Sequence, residues 1–142
     1  MVESQKKMFK KIVSIELGHL LFKKAKRRFI NDNNVTIVSG DSGEKLKEIL
    51  DDIDEPVIFW LDGHYSSGVT AKGSKKCPVY EEIDAIFNSI NRNDHIILID
   101  DARLFTGKND YPEVNQLTAY IHRKNGKYKM DVKDDIIRYW ID

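Results

Sequence analysis

Two short runs constrain the fold more than anything else in this chain: Val57-Ile58-Phe59-Trp60-Leu61 and Ile96-Ile97-Leu98-Ile99 are apolar at every position. Aspartate closes each of them, Asp62 after the first and Asp100-Asp101 after the second. A strand with one wet face alternates apolar and polar residues. An unbroken apolar run of this length predicts a strand covered on both faces, as in a parallel sheet wrapped by helices. Pro56 opens the first run and His95 the second.

The flanking sequence supplies the helices. Ile12-Val13-Ser14-Ile15, closed by Glu16, is followed by Phe22, Ala25 and Phe29 at helical spacing. After the break at Asn33-Asn34, Val35-Thr36-Ile37-Val38 ends at Gly40-Asp41 and leads into a segment with Leu46, Ile49 and Leu50 on one helical face. A glycine-bearing loop from Gly63 to about Pro78 precedes a helix marked by Ile83, Ile86, Phe87 and Ile90. Asp110 and Pro112 predict the cap and first turn of another helix, carrying Val114, Leu117, Tyr120 and Ile121 and closed by Asn125-Gly126. Then the period changes to two. Tyr128, Met130 and Val132 alternate with polar residues, Lys133-Asp134 can turn, and Ile136 to Ile141 is apolar again, which predicts a closing antiparallel hairpin. The order β-α-β-α-β-α-β-α-β-β calls for a mostly parallel sheet with helices on both faces, because parallel strands need crossover helices.

With 142 residues, one domain spanning 1–142 is expected, large enough to bury a core without disulfides or a structural metal. Hydrophobic residues at 41% and charged residues at 32% fit a globular protein, and no apolar run reaches membrane-spanning length. The polar start, Met1 to Lys11, is unlike a signal peptide, so a cytoplasmic location is the default expectation. Cys77 stands alone and reads as an ordinary loop thiol. Twenty-three basic residues balance 23 acidic ones, which gives no global argument for nucleic acid or an anionic membrane as partner. The run Lys23-Lys24, Lys26-Arg27-Arg28 reads as a solvated helix face, and Lys72, Lys75 and Lys76 as loop lysines that could also hold an anionic substrate.

Ligands of open α/β sheets bind beyond the carboxyl ends of the strands, and Glu16, Asp41, Asp62 and Asp100-Asp101 all stand there. A carboxylate after an early strand suits the two hydroxyls of a ribose, which is the place of Glu16. Asp41, followed by Ser42-Gly43, can accept from an adenine amino group or cap the helix that starts there. Asp62, Asp100 and Asp101 offer hard oxygen donors of the kind Mg²⁺ takes, although the aspartate pair can equally be a turn. His64, beside them in sequence, is either a general base or a loop histidine bonded to backbone.

Other motifs fail. Gly40 to Lys45 is too short for a phosphate loop, Gly63 to Gly68 is no nucleophile elbow, and G-x-G-x-x-G is absent. A phosphorelay receiver needs its acid pair early in the chain, and here the pair comes late.

Taken in order, Ile12 to Glu16, Gly40-Asp41, Leu61-Asp62-Gly63-His64 and Ile99-Asp100-Asp101-Ala102 resemble the class I S-adenosylmethionine-dependent methyltransferases over nearly the whole chain. The branch with D-G-x-H after the fourth strand and D-D after the fifth, the macrocin-type O-methyltransferases, is most alike. The resemblance implies a Rossmann-like doubly wound fold and methyl transfer to a small-molecule hydroxyl. It further implies cofactor contacts from Glu16, Asp41, Ser42 and Asp62, a divalent metal on Asp62, Asp100 and Asp101, and His64 as the base. It also implies a first strand and glycine-rich turn ahead of Ile12, which Met1 to Lys11 is too short to hold. An amino-terminally truncated domain, lacking the first strand, is therefore expected. Its alternative reading is a non-catalytic remnant that binds little cofactor. The strand edges left unpaired would be open to cover by a second copy in a homo-oligomer.

Overall fold

A computed structural model of the chain describes residues 1–51, 53–62, 77–89 and 94–142. A short helix α1 (Val2–Gln5) leads into β1 (Ile12–Glu16), α2 (His19–Arg28), β2 (Val35–Ser39), α3 (Ser42–Leu50) and β3 (Ile58–Leu61). Then come α4 (Val79–Ser89), β4 (Ile96–Ile99), α5 (Val114–Lys124), β5 (Lys129–Lys133) and β6 (Ile136–Trp140). The predicted order of elements is the observed one. It makes an α/β, doubly wound fold with a mostly parallel sheet and a carboxyl-terminal antiparallel hairpin.

The strands form two sheets rather than one. β1 and β2 pair in parallel, Ile12 opposite Val35, as a two-stranded ribbon that no other strand joins among the described residues. β3 pairs in parallel with β4, Ile58 opposite Ile96, in a four-stranded sheet of order β3-β4-β6-β5. β6 lies antiparallel between β4 and β5. The apolar core nevertheless runs across the break. Leu46 and Leu50 of α3, Ile83 and Ile86 of α4, and Leu117 and Ile121 of α5 pack in one cluster with Phe59, Leu61, Ile97, Ile99, Ile137 and Tyr139, and Ile15 of β1 packs against it.

Three expectations need correction. β3 and β4 are not covered on both faces: Phe59, Leu61, Ile97 and Ile99 are buried, but Ile58 is 45% and Ile96 38% exposed on the opposite face. Helices α3, α4 and α5 all bring their apolar residues to the first face, which leaves the second partly open. Asp110 does not cap α5; it sits at φ 70°, and the cap is Glu113, whose side chain takes the Gln116 amide while Gln116 answers the Glu113 N–H at 3.1 Å. The hairpin turns at Asp134-Asp135, not Lys133-Asp134, because both aspartates adopt left-handed backbone (φ 55° and 62°), as a two-residue type I′ turn requires. Cys77 lies in the loop ahead of α4, as expected, and is buried in the core, where burial pushes its pKa up to about 11.

Candidate functional site

Parallel pairing brings the ends of β1 and β2 together. The N–H of Gly40, just past β2, donates to the Glu16 carbonyl at 3.1 Å, so Glu16 and Asp41 stand on adjacent strand ends. The chain leaves β1 through Leu17-Gly18, and the Gly18 N–H donates to Glu16 Oε1 at 2.7 Å. A Cβ at Gly18 would lie 3.0 Å from that oxygen, so glycine is what lets the carboxylate fold back over the turn. One oxygen is thus fixed, while the other has no protein partner among the described residues. An anchored acceptor of this kind can take a pair of hydroxyls.

Asp41 has extended backbone and caps α3, accepting the Gly43 N–H on Oδ1 at 2.8 Å. Of the two readings of Asp41, the cap is realised, and its second oxygen is left without a protein partner among the described residues. Ser42 does not face open space with its proton: its Oγ donates to Glu82 Oε1 at 2.5 Å. Glu82 is only 3% exposed, an acid in the first turn of α4 that ties the amino end of α3 to α4. Sequence reasoning missed Glu82 and Gly18. The signals for them were the Glu-x-Gly step after a strand and the Pro-Val-Tyr-Glu-Glu helix start.

On the other side of the break, the Asp100 N–H donates to the Leu61 carbonyl at 3.0 Å, which sets Asp100 beside the end of β3, where exposed Asp62 follows. Asp100 Oδ1 accepts the Asp101 N–H at 2.8 Å, and Asp101 adopts left-handed backbone (φ 55°, ψ 47°) as the chain enters the 3₁₀ turn Ala102–Leu104. The Asp101 carboxylate is paired with the Arg103 guanidinium at 2.6 Å, and that guanidinium also bonds Asp135 of the hairpin turn. The pair therefore realises its turn reading. As a metal trio, Asp62, Asp100 and Asp101 are not gathered: among the described residues no three acids, histidines or cysteines come together as a metal-binding set. The reason is local, since Arg103 supplies the positive charge that an ion would bring to Asp101. His64, the residue assigned as base, lies outside the described residues, as do Lys72, Lys75 and Lys76.

The strand-end acids thus form two groups. Glu16 and Asp41 are anchored acceptors at the end of the two-stranded ribbon, and Asp62, Asp100 and Asp101 lie at the end of the four-stranded sheet.

Known structures share this arrangement of elements. The chain is similar to a protein from Staphylococcus aureus described as a candidate caffeoyl-CoA O-methyltransferase (TM-score 0.56, 14% identity), covering 92% of this chain and 64% of that one. It is similar to the Podospora anserina methyltransferase PaMTH1 with SAH bound (TM-score 0.58, 15% identity), covering 93% of this chain and 61% of that one. A Streptococcus mutans protein described as a candidate methyltransferase in complex with SAH matches over 96% of this chain and 79% of its own (TM-score 0.56, 12% identity). The chain therefore shares its fold with these methyltransferases. The chain spans less than two thirds of the length of the first two of these proteins. No protein-family profile matches it, and no curated protein matches it in sequence.

Proposed function

We propose that the carboxyl-terminal edge of the β1–β2 ribbon is the nucleoside side of a methyl-transfer site that takes S-adenosylmethionine. The observation that carries this reading is Glu16: a carboxylate at the end of β1, held on one oxygen by the Gly18 N–H at 2.7 Å and open on the other, in a fold shared with methyltransferases. The residues fit the cofactor's nucleoside. Glu16 would accept the ribose hydroxyls, and Asp41, on the neighbouring strand end, the adenine amino group, each with the oxygen its local turn leaves unused. Ser42 supports the site through its bond to Glu82 rather than by giving its own proton to a ligand.

When bound, S-adenosylmethionine supplies a methyl group on a sulfonium. A hydroxyl acceptor would take that methyl on oxygen and lose its proton to a base, a role the sequence gives to His64. Asp62 would lie toward the acceptor side. Asp62, Asp100 and Asp101 form no three-ligand metal set among the described residues, and Asp101 is paired with Arg103.

The break between the sheets favours a second reading, a methyltransferase-like domain that folds but turns over little or no substrate alone. Incubating the chain with S-adenosylmethionine carrying a labelled methyl group and a panel of catechols and hydroxylated small molecules separates the two. Transfer to a hydroxyl that Glu16→Gln reduces at least tenfold is the outcome expected for a working site. S-adenosylmethionine binding without transfer identifies the second reading, and absence of binding overturns the nucleoside assignment.

A further inference from the structure

We infer that the outward face of α2 is a docking surface for an anionic phospholipid bilayer. The whole chain is neutral, yet its charge is segregated: residues 1–30 hold 9 Lys and Arg against 2 Asp and Glu, and residues 31–142 hold 14 against 21. Within the first stretch, Leu17 to Asn31 contains five Lys and Arg and no acid. A neutral total therefore hides one strongly positive surface.

Ion pairs take up part of this charge and leave the rest. Lys6 bonds Glu3 and Asp32, Arg28 bonds Glu3, and Lys10 bonds Glu55. Lys7, Lys11, Lys23, Lys24, Lys26 and Arg27 have no carboxylate partner among the described residues. The helix turns half of these outward. Phe29 is buried and Phe22 and Ala25 are half-buried on the side of α2 toward the ribbon. With about 3.6 residues per turn, Leu20, Lys23, Lys24 and Arg27 fall on the opposite side, and all four are exposed.

A face that meets only water gains from alternating sign along the helix. Lys23 with Arg27, and Lys24 with Arg28, are instead like charges four residues apart, a spacing that disfavours the helix. The helix dipole favours cations in the last turn, which covers Lys26, Arg27 and Arg28. It does nothing for Lys23 and Lys24 in the middle. An anionic partner relieves the repulsion of the whole set.

Apolar side chains select lipid among anionic partners. Leu20 and Leu21 stand 68% and 57% exposed beside the lysines, and Ile30, just past the helix, is 74% exposed. At a bilayer interface such side chains enter the boundary between headgroups and acyl chains, while Lys and Arg stems lie along it with their charges at the phosphates. A nucleic acid instead offers its bases to aromatic platforms. The two aromatic rings of this segment are already engaged within the protein, Phe22 under the Lys26 ammonium at 5.7 Å and Phe29 under the Arg28 guanidinium at 5.6 Å.

The test sediments the full chain with extruded vesicles of phosphatidylcholine, either alone or with about 30% phosphatidylserine. Binding is expected to the second kind only. It should fall at least tenfold as salt rises from about 0.1 M to 1 M, which shortens the screening length from about 10 Å to 3 Å. Lys23→Gln, Lys24→Gln and Arg27→Gln together keep good helix formers in place, so the melting temperature should not fall. At about fivefold for each charge removed, this triple variant should bind about 100-fold more weakly. Leu20→Gln with Leu21→Gln leaves every charge in place and should weaken vesicle binding about tenfold. Lys108→Gln with Lys127→Gln, away from this face, should change nothing.

Three results overturn the proposal. Equal binding to the two kinds of vesicle, or none at about 1 mM accessible lipid, would mean that no anionic bilayer docks. Undiminished binding by the triple variant would make α2 a solvated face. Binding of an RNA oligonucleotide of about 20 residues, lost in the triple variant and kept in the leucine variant, with no vesicle binding, would assign the face to nucleic acid. Neither S-adenosylmethionine nor a methyl acceptor enters this experiment, so it and the methyl-transfer reading fail independently.

Discussion

At the residue scale, a tight turn uses up one oxygen of a strand-end carboxylate and leaves the other. Glu16 is the clearest case, and Glu16→Gln keeps the shape while replacing the second acceptor by an amide. Loss of a hydrogen bond to a charged group costs about 1.5–3 kcal/mol, so nucleoside affinity should fall at least tenfold, with the melting temperature little changed. Cys77 gives the pH dependence. Burial raises its pKa from the ordinary 9.0 to about 11, so the fold holds this proton more tightly than the unfolded chain does. The associated stability is whole below pH 9 and is lost as pH rises through 11, an amount of about 2–3 kcal/mol. Tyr128 and Tyr139, pushed up to about 12 chiefly by burial, extend the loss further into alkali. Denaturant midpoints measured from pH 8 to 12 should fall in that order, and Cys77→Ala should flatten the first part alone.

At the scale of elements, Asp41 serves two claims that can be separated. As the cap of α3 it should cost about 1 kcal/mol when replaced by Ala, and Asp41→Ser, which can still cap, should restore thermal stability. If it also receives the adenine amino group, Asp41→Ser stays weak in nucleoside binding. Recovery of both together would make Asp41 a cap and nothing more. In α5, Glu113→Ala should destabilise by a similar amount, and Asp110, at φ 70°, lies outside the capping box. These elements were largely legible: β-branched runs and 3.6-residue spacing placed every strand and the four longer helices. The cap of α5 was not, because Asp110 is the better cap by residue type. Only the reciprocal bond from Gln116, a property of the folded turn, decides for Glu113.

At the scale of the molecule, the acids were legible as a row because strand ends can be read from sequence, but their grouping was not. Nothing in Asp100-Asp101 announces that Arg103 and Asp135, brought together by the hairpin, would hold Asp101. The apolar runs of β3 and β4 predicted the strands themselves, but not that they are covered on one face alone. The structure covers one face, because the cover for the other is not a property of the runs themselves. The core that does exist should behave as one unit across the break. Leu117→Ala, at a fully buried position, should cost about 2–5 kcal/mol and lower the melting temperature of both sheets together. Separate transitions for the β1–β2 ribbon and the four-stranded sheet would contradict a shared core.

A nucleoside site at the ends of β1 and β2 is tested by amide chemical shifts of the nitrogen-15-labelled chain titrated with SAH. Saturable shifts are expected at Glu16 to Gly18 and Gly40 to Gly43, with a dissociation constant of about 1 mM or below that Glu16→Gln weakens at least tenfold. Absence of shifts at those residues, or equal affinity in the Glu16→Gln chain, would contradict it.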